Sequence, residues 1–361
     1  MPVRLADVAR HAGVSEATAS RVLSGRGYVS AASRERVREA ALALEYVPHE
    51  AARALSRART ATVALLVHHA QYPLGSEGTF PSRVIHGVTR RLHAAAHDML
   101  YVVVDDNSVA RLDRLPAVGR GRSDGVLVLG PAFPPESIRC LAATGRPLVL
   151  IDNRLDDPQL PSVMADNRPA MDALTTHLLE DHGYRRIACV AGPPTWPSTA
   201  ERVAGYTAAL ARRGLDARVI HAPSTTASDG TNATAALLEQ PGPQPEAIVA
   251  INDALAIGAL YHVRSQANRP AVVGFDDIAW ARLTDPPLTT VAVDAELMGT
   301  QAATMILEQV ATDGAEPSAV VRIPAVPRIR ESCGCPPSHG DVRMSRSATT
   351  QVQPSGGAPH G

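Results

Sequence analysis

Two hydrophobic patterns follow each other along this chain of 361 residues and divide it at about residue 60. Up to that point, apolar residues recur three or four positions apart, as on one face of a helix. Beyond it, short continuous apolar runs alternate with helical patterns, and such runs are typical of strands buried on both faces of a parallel sheet. The predicted strands are 62–67, 99–104, 125–129, 148–151, 186–191, 247–251 and 271–275. The predicted helices between them are 82–96, 168–183, 199–213, 229–240 and 253–265.

The alternation of strand and helix predicts an α/β core of two doubly wound parallel-sheet lobes, preceded by an all-α headpiece. Two such sheets in succession imply a cleft between the lobes, where loops at the carboxyl ends of the strands converge on a ligand. The composition, with 45% apolar residues, 29 prolines and 26 glycines, fits a globular α/β protein of two or three domains.

Residues 3–24 predict two short helices joined by a tight turn. Ala9 provides a small residue where the helices cross, and Gly13 provides a turn that tolerates a positive φ. Ser15 precedes the second helix, where its hydroxyl can accept a hydrogen bond from the backbone, so this helix is predicted to begin at about Glu16. Apolar residues occupy the inner faces of both helices: Val8, Ala12, Val14, Ala19 and Val22.

This helix-turn-helix pattern favours DNA binding. In that mode the start of the second helix faces base edges in the major groove, which would place Glu16, Ala17 and Arg21 toward the bases. Thr18 and Ser20 would then reach phosphates. The alternative interpretation is an ordinary helical hairpin, because short amphipathic helix pairs are common.

A third helix is predicted at 31–44, with Ser30 as its N-cap, and it closes a three-helix headpiece. Its apolar stripe consists of Val37, Ala40, Ala41 and Leu44. Pro48 ends this part, because proline disfavours helix in the residue before it, and helical periodicity resumes at 49–57.

With these segments in place, the chain resembles the LacI/GalR (lactose repressor) family. The resemblance rests on LADVARHAGVSEATASRVLSG and VSAASRERVREAALALEYVPHEAARAL, and in the body on residues 162–167, 185–193, 201–206, 247–259 and 272–278. It extends to about residue 332 through PPLTTV and RIRES. Two mild departures are Ala19, where the family usually has valine, and Ser24, where asparagine is common.

The resemblance implies a periplasmic-binding-protein-like core with crossovers near Ser162, Thr290 and Ile323. The implied parts are a headpiece at 1–47, a hinge helix at 48–59, a core at 60–335, a first lobe at 60–161 and 292–322, and a second lobe at 163–289. Residues 336–361 are rich in proline, serine and glycine without periodicity, so this tail is predicted to be disordered.

The hinge helix is implied to fold when two protomers pair over the DNA, with Leu55 inserted into the minor groove. A short Ala-rich helix is marginal alone, and an apolar wedge between base steps can bend a duplex; the alternative is that Leu55 is ordinary core. The predicted DNA-binding residues are Leu5, Ser15, Glu16, Ala17, Thr18, Ser20, Arg21, Val29, Ser30, His49, Ala52 and Leu55.

The function implied is a ligand-responsive, sequence-specific transcriptional regulator, in the first interpretation a repressor of carbohydrate metabolism or uptake genes. It would bind a palindromic double-stranded DNA operator as a homodimer, under the control of a sugar or sugar-like molecule in the cleft. The alternatives are a sugar-binding receptor without a regulatory DNA role, and a regulator of nucleoside or other non-sugar metabolism. The sequence contains no Gly-rich phosphate loop, GxSxG elbow or HExxH motif, so no catalysis and no cofactor are predicted.

Candidate effector-binding residues lie where predicted strands end. Asp276 follows a strand, and its carboxylate can accept two hydroxyl protons from a sugar, although a turn or N-cap aspartate is the alternative. Arg202 matches, by resemblance, an arginine that reaches the effector, with a helix-surface arginine as the alternative. Asp253 is assigned to a helix cap, which leaves Asn252 for the ligand or for a contact between the lobes.

Polar side chains in the first lobe and the two tryptophans are further candidates. His68 and His69 end the first strand; a metal site is the alternative to pocket lining, but no third ligand lies at a suitable spacing. Aromatic residues make up only 3% of the chain, so a tryptophan near the cleft is a candidate stacking face for a sugar ring. The predicted effector-binding set is His68, Tyr72, Asp152, Trp196, Arg202, Asn252, Asp276 and Trp280.

Charge and cysteine usage complete the picture. The formal net charge of −1 hides a basic N-terminal part, because residues 1–60 carry ten arginines against six acids, and the chain contains no lysine. Cys140 and Cys189 lie in apolar contexts typical of core. For Cys333-Gly-Cys335 a metal or redox role is the alternative, but the motif lacks partners at ligand spacing, so no metal site is predicted. The absence of a leader pattern and of an apolar span predicts a cytoplasmic, nucleoid-associated protein with no membrane partner.

Overall fold

The computed structural model describes residues 3–24, 28–44, 46, 59–69, 78–119, 121–156, 160–312 and 319–337. The chain forms two compact units. Unit 1 comprises Met1–Arg168, Gly192–Ala204 and Val293–Ala325, and unit 2 comprises Pro169–Ala191, Gly205–Ala292 and Val326–Gly361. Within the described ranges, no helix combines the length and the apolarity needed to cross a membrane.

The N-terminal part folds into three helices, α1 (Leu5–His11), α2 (Glu16–Ser24) and α3 (Ala31–Ala43). Their shared core is built from Val8, Ala9, Ala12, Ala19, Val37 and Ala40. Gly13, in the turn after α1, has a φ of +61°, which glycine adopts without strain. The backbone N–H of Thr18 donates to Ser15 Oγ (3.2 Å), and that of Ser33 donates to Ser30 Oγ (3.3 Å). The predicted starts of α2 and α3 are therefore confirmed.

Unit 1 contains a six-stranded parallel sheet in the order β11-β5-β4-β3-β1-β2. Its strands are β1 (Thr62–His68), β2 (Asp98–Val104), β3 (Gly125–Leu129), β4 (Leu148–Ile151), β5 (Ser162–Ala165) and β11 (Val320–Ile323). Its helices are α4 (Phe80–Ala94), α5 (Pro135–Ala142) and α10 (Ala295–Ala311). The central strands β3 and β4 are buried throughout, as continuous apolar runs require.

Unit 2 contains a four-stranded parallel sheet in the order β7-β6-β8-β9. Its strands are β6 (Ile187–Ala191), β7 (Arg218–His221), β8 (Ala247–Ala250) and β9 (Ala271–Val273). The helices of this region are α6 (Asn167–Glu180), α7 (Pro197–Ala211), α8 (Ala227–Glu239) and α9 (Asp253–Val263). A separate two-stranded sheet pairs β10 (Thr290–Val293) with β12 (Ala325–Arg328).

All seven predicted strands are confirmed to within two residues, and the five predicted helices to within three. The structure adds five strands and two helices that the hydrophobic pattern did not indicate: β5, β7, β10, β11, β12, α5 and α10. Each of the five added strands contains a serine, threonine, histidine, arginine or proline among its four residues, so none is a continuous apolar run like those of β4 and β8.

Two details differ from the sequence-based expectation. A crossover is expected near Ser162, but this residue begins β5, which pairs with both β4 and β11, and the chain passes into unit 2 after Arg168. Cys140, expected in the core, is exposed on α5, because the helix buries Ile138 and Leu141 instead. The expectation that Cys189 is core is confirmed.

Candidate functional site

The outer face of α2 carries the residues expected to read DNA. Glu16, Ala17 and Arg21 are exposed, whereas Ala19 on the opposite face is fully buried. The helix is therefore oriented on its neighbours so that the three predicted base-reading positions face outward. Ser20 is half-buried beside them.

The other headpiece residues of the predicted set serve the fold as well. Ser15 and Ser30 both cap helices, and the Thr18 hydroxyl lies 2.9 Å from that of Ser15. Leu5 is half-buried and packs against the headpiece core, and Val29 is also half-buried. Each of these side chains thus has a structural partner or a partly buried surface in addition to any contact with DNA.

Four predicted site residues lie outside the described residues: His49, Ala52, Leu55 and Tyr72. The hinge helix and nearly all of the C-terminal tail fall in the same category. Their assignments stay predictions.

Strand order fixes where each sheet can hold a ligand. In unit 1 the order reverses between β1 and β3, and in unit 2 it reverses between β6 and β8. Open α/β sheets bind ligands outside the carboxyl ends of strands at such switch points. Three predicted effector residues follow switch-point strands: His68 ends β1, Trp196 follows β6 and Asn252 follows β8. Asp152 follows β4 and Asp276 follows β9, which are the next strands outward in the two sheets.

At the switch point of unit 1, His68 is buried and its ring packs edge-on against Phe133, with centroids 6.0 Å apart. Burial, reinforced by the charge of His69, lowers the pKa of His68 below its ordinary value despite the nearby carboxylate of Asp106. The neutral imidazole is able to donate one hydrogen bond and accept another, which suits a hydroxyl ligand. Asp152 is also buried and has a φ of +52°.

Asp106 is a residue that sequence reasoning missed. Its Oδ1 lies 3.3 Å from His68 Nε2 and 3.4 Å from His69 Nε2, so the strand-end histidines do have a carboxylate beside them. It comes from the segment after β2, the neighbour of β1 in the sheet, and only knowledge of that pairing could have indicated it. Because Asp106 and His69 are exposed, solvent reaches the group formed by His68, His69 and Asp106.

Arg202, in the second turn of α7, is only 4% exposed, and its Nε donates to Asn167 Oδ1 at 2.8 Å. Asn167 Nδ2 in turn donates to Glu201 Oε2 at 3.0 Å. The same Glu201 carboxylate accepts hydrogen bonds from Arg154 (3.0 Å) and from both terminal nitrogens of Arg322 (2.7 and 2.6 Å). This Glu201 network holds the Arg202 guanidinium in a defined orientation, as a residue that forks onto a ligand requires.

The protonation of Glu201 makes the network sensitive to acid. Burial raises the pKa of the Glu201 carboxyl, but hydrogen bonds from Arg322 and Asn167 and the charges of Arg322 and Arg154 outweigh burial and bring the pKa below its ordinary value. A carboxylate with a depressed pKa in the folded state contributes stability that is present at neutral pH. That stability is lost as the pH falls from the ordinary pKa of a glutamate toward the depressed pKa of Glu201 in the folded protein.

We therefore expect Glu201→Gln to lower the free energy of unfolding at pH 7 by about 1–2 kcal/mol, because charged hydrogen bonds become neutral ones. The variant should also lose less stability than the parent protein as the pH is lowered below about 4.5. Urea unfolding at a series of pH values measures both effects. Glu239→Gln, at an exposed position at the end of α8, is the control, and equal pH dependence of all three proteins would contradict the assignment.

In unit 2, Asn252 caps α9. The backbone N–H of Leu255 donates to Asn252 Oδ1 (2.9 Å), while Asn252 Nδ2 donates to Thr225 O (3.1 Å). The expectation that Asp253 is the cap is therefore wrong. Asn252 has the extended backbone of a cap residue (φ −146°), and Asp253 is already the first residue of the helix.

Asp253 instead ties the start of α9 to the segment after β9. Its carboxylate is completely buried and accepts hydrogen bonds from Thr290 Oγ1 (2.5 Å) and from the backbone N–H of Ile278 (2.9 Å). A Cβ atom at Gly274 would overlap this carboxylate, so a larger residue there would displace the Asp253 side chain. Burial and the charge of Asp276 raise the pKa of Asp253 well above its ordinary value.

Asp276 lies beside this buried acid and is itself 7% exposed. Its backbone N–H donates to Val291 O (2.8 Å), and its φ of +113° is unusual for a residue other than glycine. The next residue, Asp277, also has a positive φ and pairs with Arg330 at 2.5 Å. Strained backbone held by surrounding contacts is typical of functional sites.

The two tryptophans differ in exposure. Trp280 lies in a short 3-10 turn after Asp276 and is 55% exposed. Trp196 is half-buried in the segment that leads into α7. Both therefore present ring surface next to the strand ends of the predicted site.

Comparison with protein families gives two matches. Residues 4–49 match bacterial regulatory proteins of the lacI family, and residues 62–332 match the periplasmic binding proteins and sugar binding domain of the LacI family. The first match covers the three-helix headpiece, and the second covers both parallel sheets.

Two regulators are similar over most of the chain. The HTH-type transcriptional regulator CelR of Thermobifida fusca is 34% identical over 87% of this chain and 94% of its own length. The HTH-type transcriptional repressor CytR of Escherichia coli K12 is 32% identical over 84% of this chain and 88% of its own.

Comparison with solved structures gives similar matches. A lac repressor dimer bound to operator and the anti-inducer ONPF matches with a TM-score of 0.79 and 25% identity, covering 92% of this chain and 99% of that one. A CelR–cellobiose complex matches with a TM-score of 0.67 and 30% identity, covering 91% of this chain and 99% of that one. The headpiece, the parallel-sheet core and the family matches agree, and the chain belongs to the LacI family of bacterial regulatory proteins.

Proposed function

We propose that this ligand-responsive DNA-binding regulator represses genes of carbohydrate metabolism or uptake, and that a sugar or sugar-like effector controls its hold on a palindromic operator. The observation that carries the proposal is the exposed start of α2, where Glu16, Ala17 and Arg21 face outward from a correctly capped helix-turn-helix. The complex of the relative CelR with cellobiose supports the effector class.

For DNA, we assign base reading to Glu16, Ala17 and Arg21, and phosphate contacts to Thr18 and Ser20. A homodimer would present two copies of α2, as a palindromic operator requires. The remaining proposed contacts are Leu5, Ser15, Val29, Ser30, His49, Ala52 and Leu55, the last as a minor-groove wedge on a hinge helix.

For the effector, we assign Asp276 and Arg202 to hydroxyl groups, because both are buried, Asp276 in the segment after β9 and Arg202 in the second turn of α7, where Asn167 holds its guanidinium. Trp196 and Trp280 would supply stacking faces. His68, Tyr72 and Asp152 complete the set. Asn252 keeps only part of its hydrogen-bonding capacity for a ligand, because its oxygen caps α9.

We assign no catalytic role to any of these residues, and we place the protein in the cytoplasm with its DNA. We propose the same domain boundaries as above: a headpiece at 1–47, a hinge helix at 48–59, a core at 60–335 and a tail at 336–361. Asn167 and Glu201 are added as positioning residues for Arg202, since they fix its guanidinium.

The test uses a duplex selected from a random library by the full-length protein. Binding to that duplex should weaken by about 10³-fold or more between 50 and 200 mM salt if six or more phosphates are neutralised. A thermal-shift screen of sugars, polyols and nucleosides then identifies the effector, since a ligand at about 100 times its Kd adds roughly 2.7 kcal/mol of stability. Failure to select any duplex would contradict the DNA role, and stabilisation by nucleosides alone would replace the sugar assignment.

A further inference from the structure

Two histidines and two cysteines meet in unit 2, apart from the residues assigned to the effector. One possible ligand atom from each of His177, His182, Cys333 and Cys335 lies within 4.8 Å of all the others. Cys333 is buried and the other three are half-buried. Because the members come from two distant parts of the chain, the cluster exists only in the folded protein.

Local structure brings the four side chains together. His177 lies in the last turn of α6, and His182 follows in the turn after that helix. Cys333 ends a 3-10 turn, and Gly334 then reverses the chain with a φ of +102° before Cys335. A Cβ atom at Gly334 would also come within 2.9 Å of Tyr184 Oη, so the residue between the two cysteines has to be glycine.

The three distances among the ligand atoms of His177, His182 and Cys335 match edges of a tetrahedron around a metal ion, and the Cys333 sulfur lies within 4.8 Å of all three. His177 Nε2 and His182 Nε2 are 3.3 Å apart, and Cys335 Sγ lies 3.4 Å from His182 Nε2 and 3.8 Å from His177 Nε2. With Zn–N bonds of about 2.05 Å and Zn–S bonds of about 2.3 Å, tetrahedral zinc separates two nitrogens by about 3.4 Å and a nitrogen from a sulfur by about 3.6 Å. We propose that His177, His182, Cys333 and Cys335 bind one structural Zn²⁺ ion.

The surrounding side chains suit this occupant. Asp181 Oδ2 lies 2.6 Å from His177 Nδ1, which leaves Nε2 as the ligand atom in the carboxylate–histidine–zinc arrangement. The Tyr184 ring stacks on His182 with centroids 5.3 Å apart, and its hydroxyl donates to Cys333 O (3.1 Å). Thr289 Oγ1 donates to Cys333 Sγ at 3.2 Å, a bond that a thiolate accepts well.

Charge and proton balance also favour zinc. Two thiolates neutralise the dication, and two neutral imidazoles add no charge, so the filled site is electrically neutral. Zinc binds both cysteines as thiolates, so any thiol proton that they still carry is released on binding. All four coordination positions come from the protein, which is the pattern of structural rather than catalytic zinc.

The site would fasten the C-terminal segment to the core of unit 2. Next to Cys333, Ser332 Oγ donates to Val272 O in β9 (2.6 Å) and accepts from the Thr289 N–H (2.7 Å). Arg330, in the same segment, pairs with Asp277. Zinc would therefore hold in place the segment that supports the loop containing Asp276.

The experiment measures metal in tag-free, full-length protein purified under reducing conditions without chelators. Mass spectrometry of the metals should give about one zinc per chain, and both Cys335→Ser and His182→Gln should reduce it to less than about a tenth. Cys140→Ser is the matched control, since Cys140 is an exposed cysteine outside the cluster and should leave the zinc content unchanged.

A second measurement covers the case in which a variant does not fold. The parent protein is stripped with a chelator and titrated with Co²⁺, which should give the visible bands of tetrahedral cobalt with thiolate ligands, and Zn²⁺ should abolish them. Chelation should lower the Tm, and Zn²⁺ but not Mg²⁺ should restore it. A parent protein without zinc that gives no such cobalt spectrum would overturn the proposal, as would a Cys333–Cys335 disulfide in the reduced preparation.

Discussion

Replacing Arg21 by alanine is expected to weaken operator binding by at least about 30-fold while leaving effector affinity unchanged. Arg21 lies on the exposed face of α2, and an arginine that forks onto a guanine edge contributes about 1–3 kcal/mol of discrimination. A dimer on a palindrome loses two such contacts, or about 2–6 kcal/mol, which is roughly 30-fold to 10⁴-fold in Kd. The helix core is unaffected, because the inner face of α2 is formed by Ala19 and its neighbours.

The measurement is fluorescence anisotropy with the selected duplex, repeated at several salt concentrations. Arg38→Ala is the matched control, since it removes the same charge from an exposed position on α3. If Arg21 reads a base, the variant loses affinity with little change in salt dependence and tolerates other bases at one position in each half-site. A reduced salt slope with retained sequence preference would make Arg21 a phosphate contact, and full operator affinity would exclude it from the interface.

The headpiece could be predicted in detail because its signals are local. Gly13, Ser15 and Ser30 each act within three residues of their own position, through a positive φ or a cap hydrogen bond. The exposed and buried faces of α2 also follow from a period that nine residues are enough to show.

The strands of the two sheets could be predicted for a related reason. Their continuous apolar runs reflect burial on both faces, which does not depend on knowing the neighbouring strand. The order of strands and their pairing, and with them β11 at one edge of the larger sheet and β5 beside it, required the structure. The added four-residue strands were missed because a polar residue or a proline shortens or interrupts the apolar run that identified β4 and β8.

The candidate sites show where local reasoning ends. Asp106 approaches His68 only because β1 pairs with β2, and Glu201 meets Arg322 across 121 residues of sequence. The Cys335 sulfur meets His182 across 153 residues. Spacing along the chain could reveal none of these pairs, since each depends on which elements become neighbours.

Asp253 and Asn252 illustrate a different limit. Both residue types are good N-caps, and they are adjacent, so the sequence alone does not decide which one caps α9. The choice is made by the tertiary structure, because burial of Asp253 against Thr290 and Ile278 satisfies its carboxylate elsewhere. The prediction therefore assigned the N-cap to Asp253, one residue after Asn252, which caps the helix in the structure.

Replacing Asp276 by alanine is expected to reduce effector affinity by at least about 100-fold and to leave operator affinity without effector unchanged. A carboxylate that accepts two hydroxyl protons makes two charged hydrogen bonds of about 1.5–3 kcal/mol each. The effector would then have too little differential affinity to shift the protein between its states, so operator binding should stop responding to it.

The fold should tolerate the loss of this charge. The carboxylate of Asp276 lies beside buried Asp253 and raises the pKa of that residue, so its removal relieves an unfavourable interaction. The alanine substitution strains the backbone more than the loss of charge affects the fold, because a φ of +113° favours glycine or asparagine over alanine. Asp276→Asn is therefore the companion variant, since it keeps the shape and tolerates the backbone but lacks the charge.

Calorimetric titration with the effector found in the thermal-shift screen, and operator binding with and without it, separate the possible outcomes. Asp216→Asn, at an exposed position before β7, is the control for loss of one negative charge. If both Asp276 variants lose effector affinity while their thermal unfolding matches the control, the carboxylate itself binds the ligand. If only the alanine variant loses affinity, the negative charge is dispensable, and the backbone conformation together with a neutral side-chain acceptor is sufficient. An unchanged response in both would remove Asp276 from the site and transfer the recognition of hydroxyl groups to Arg202 and the strand ends of unit 1.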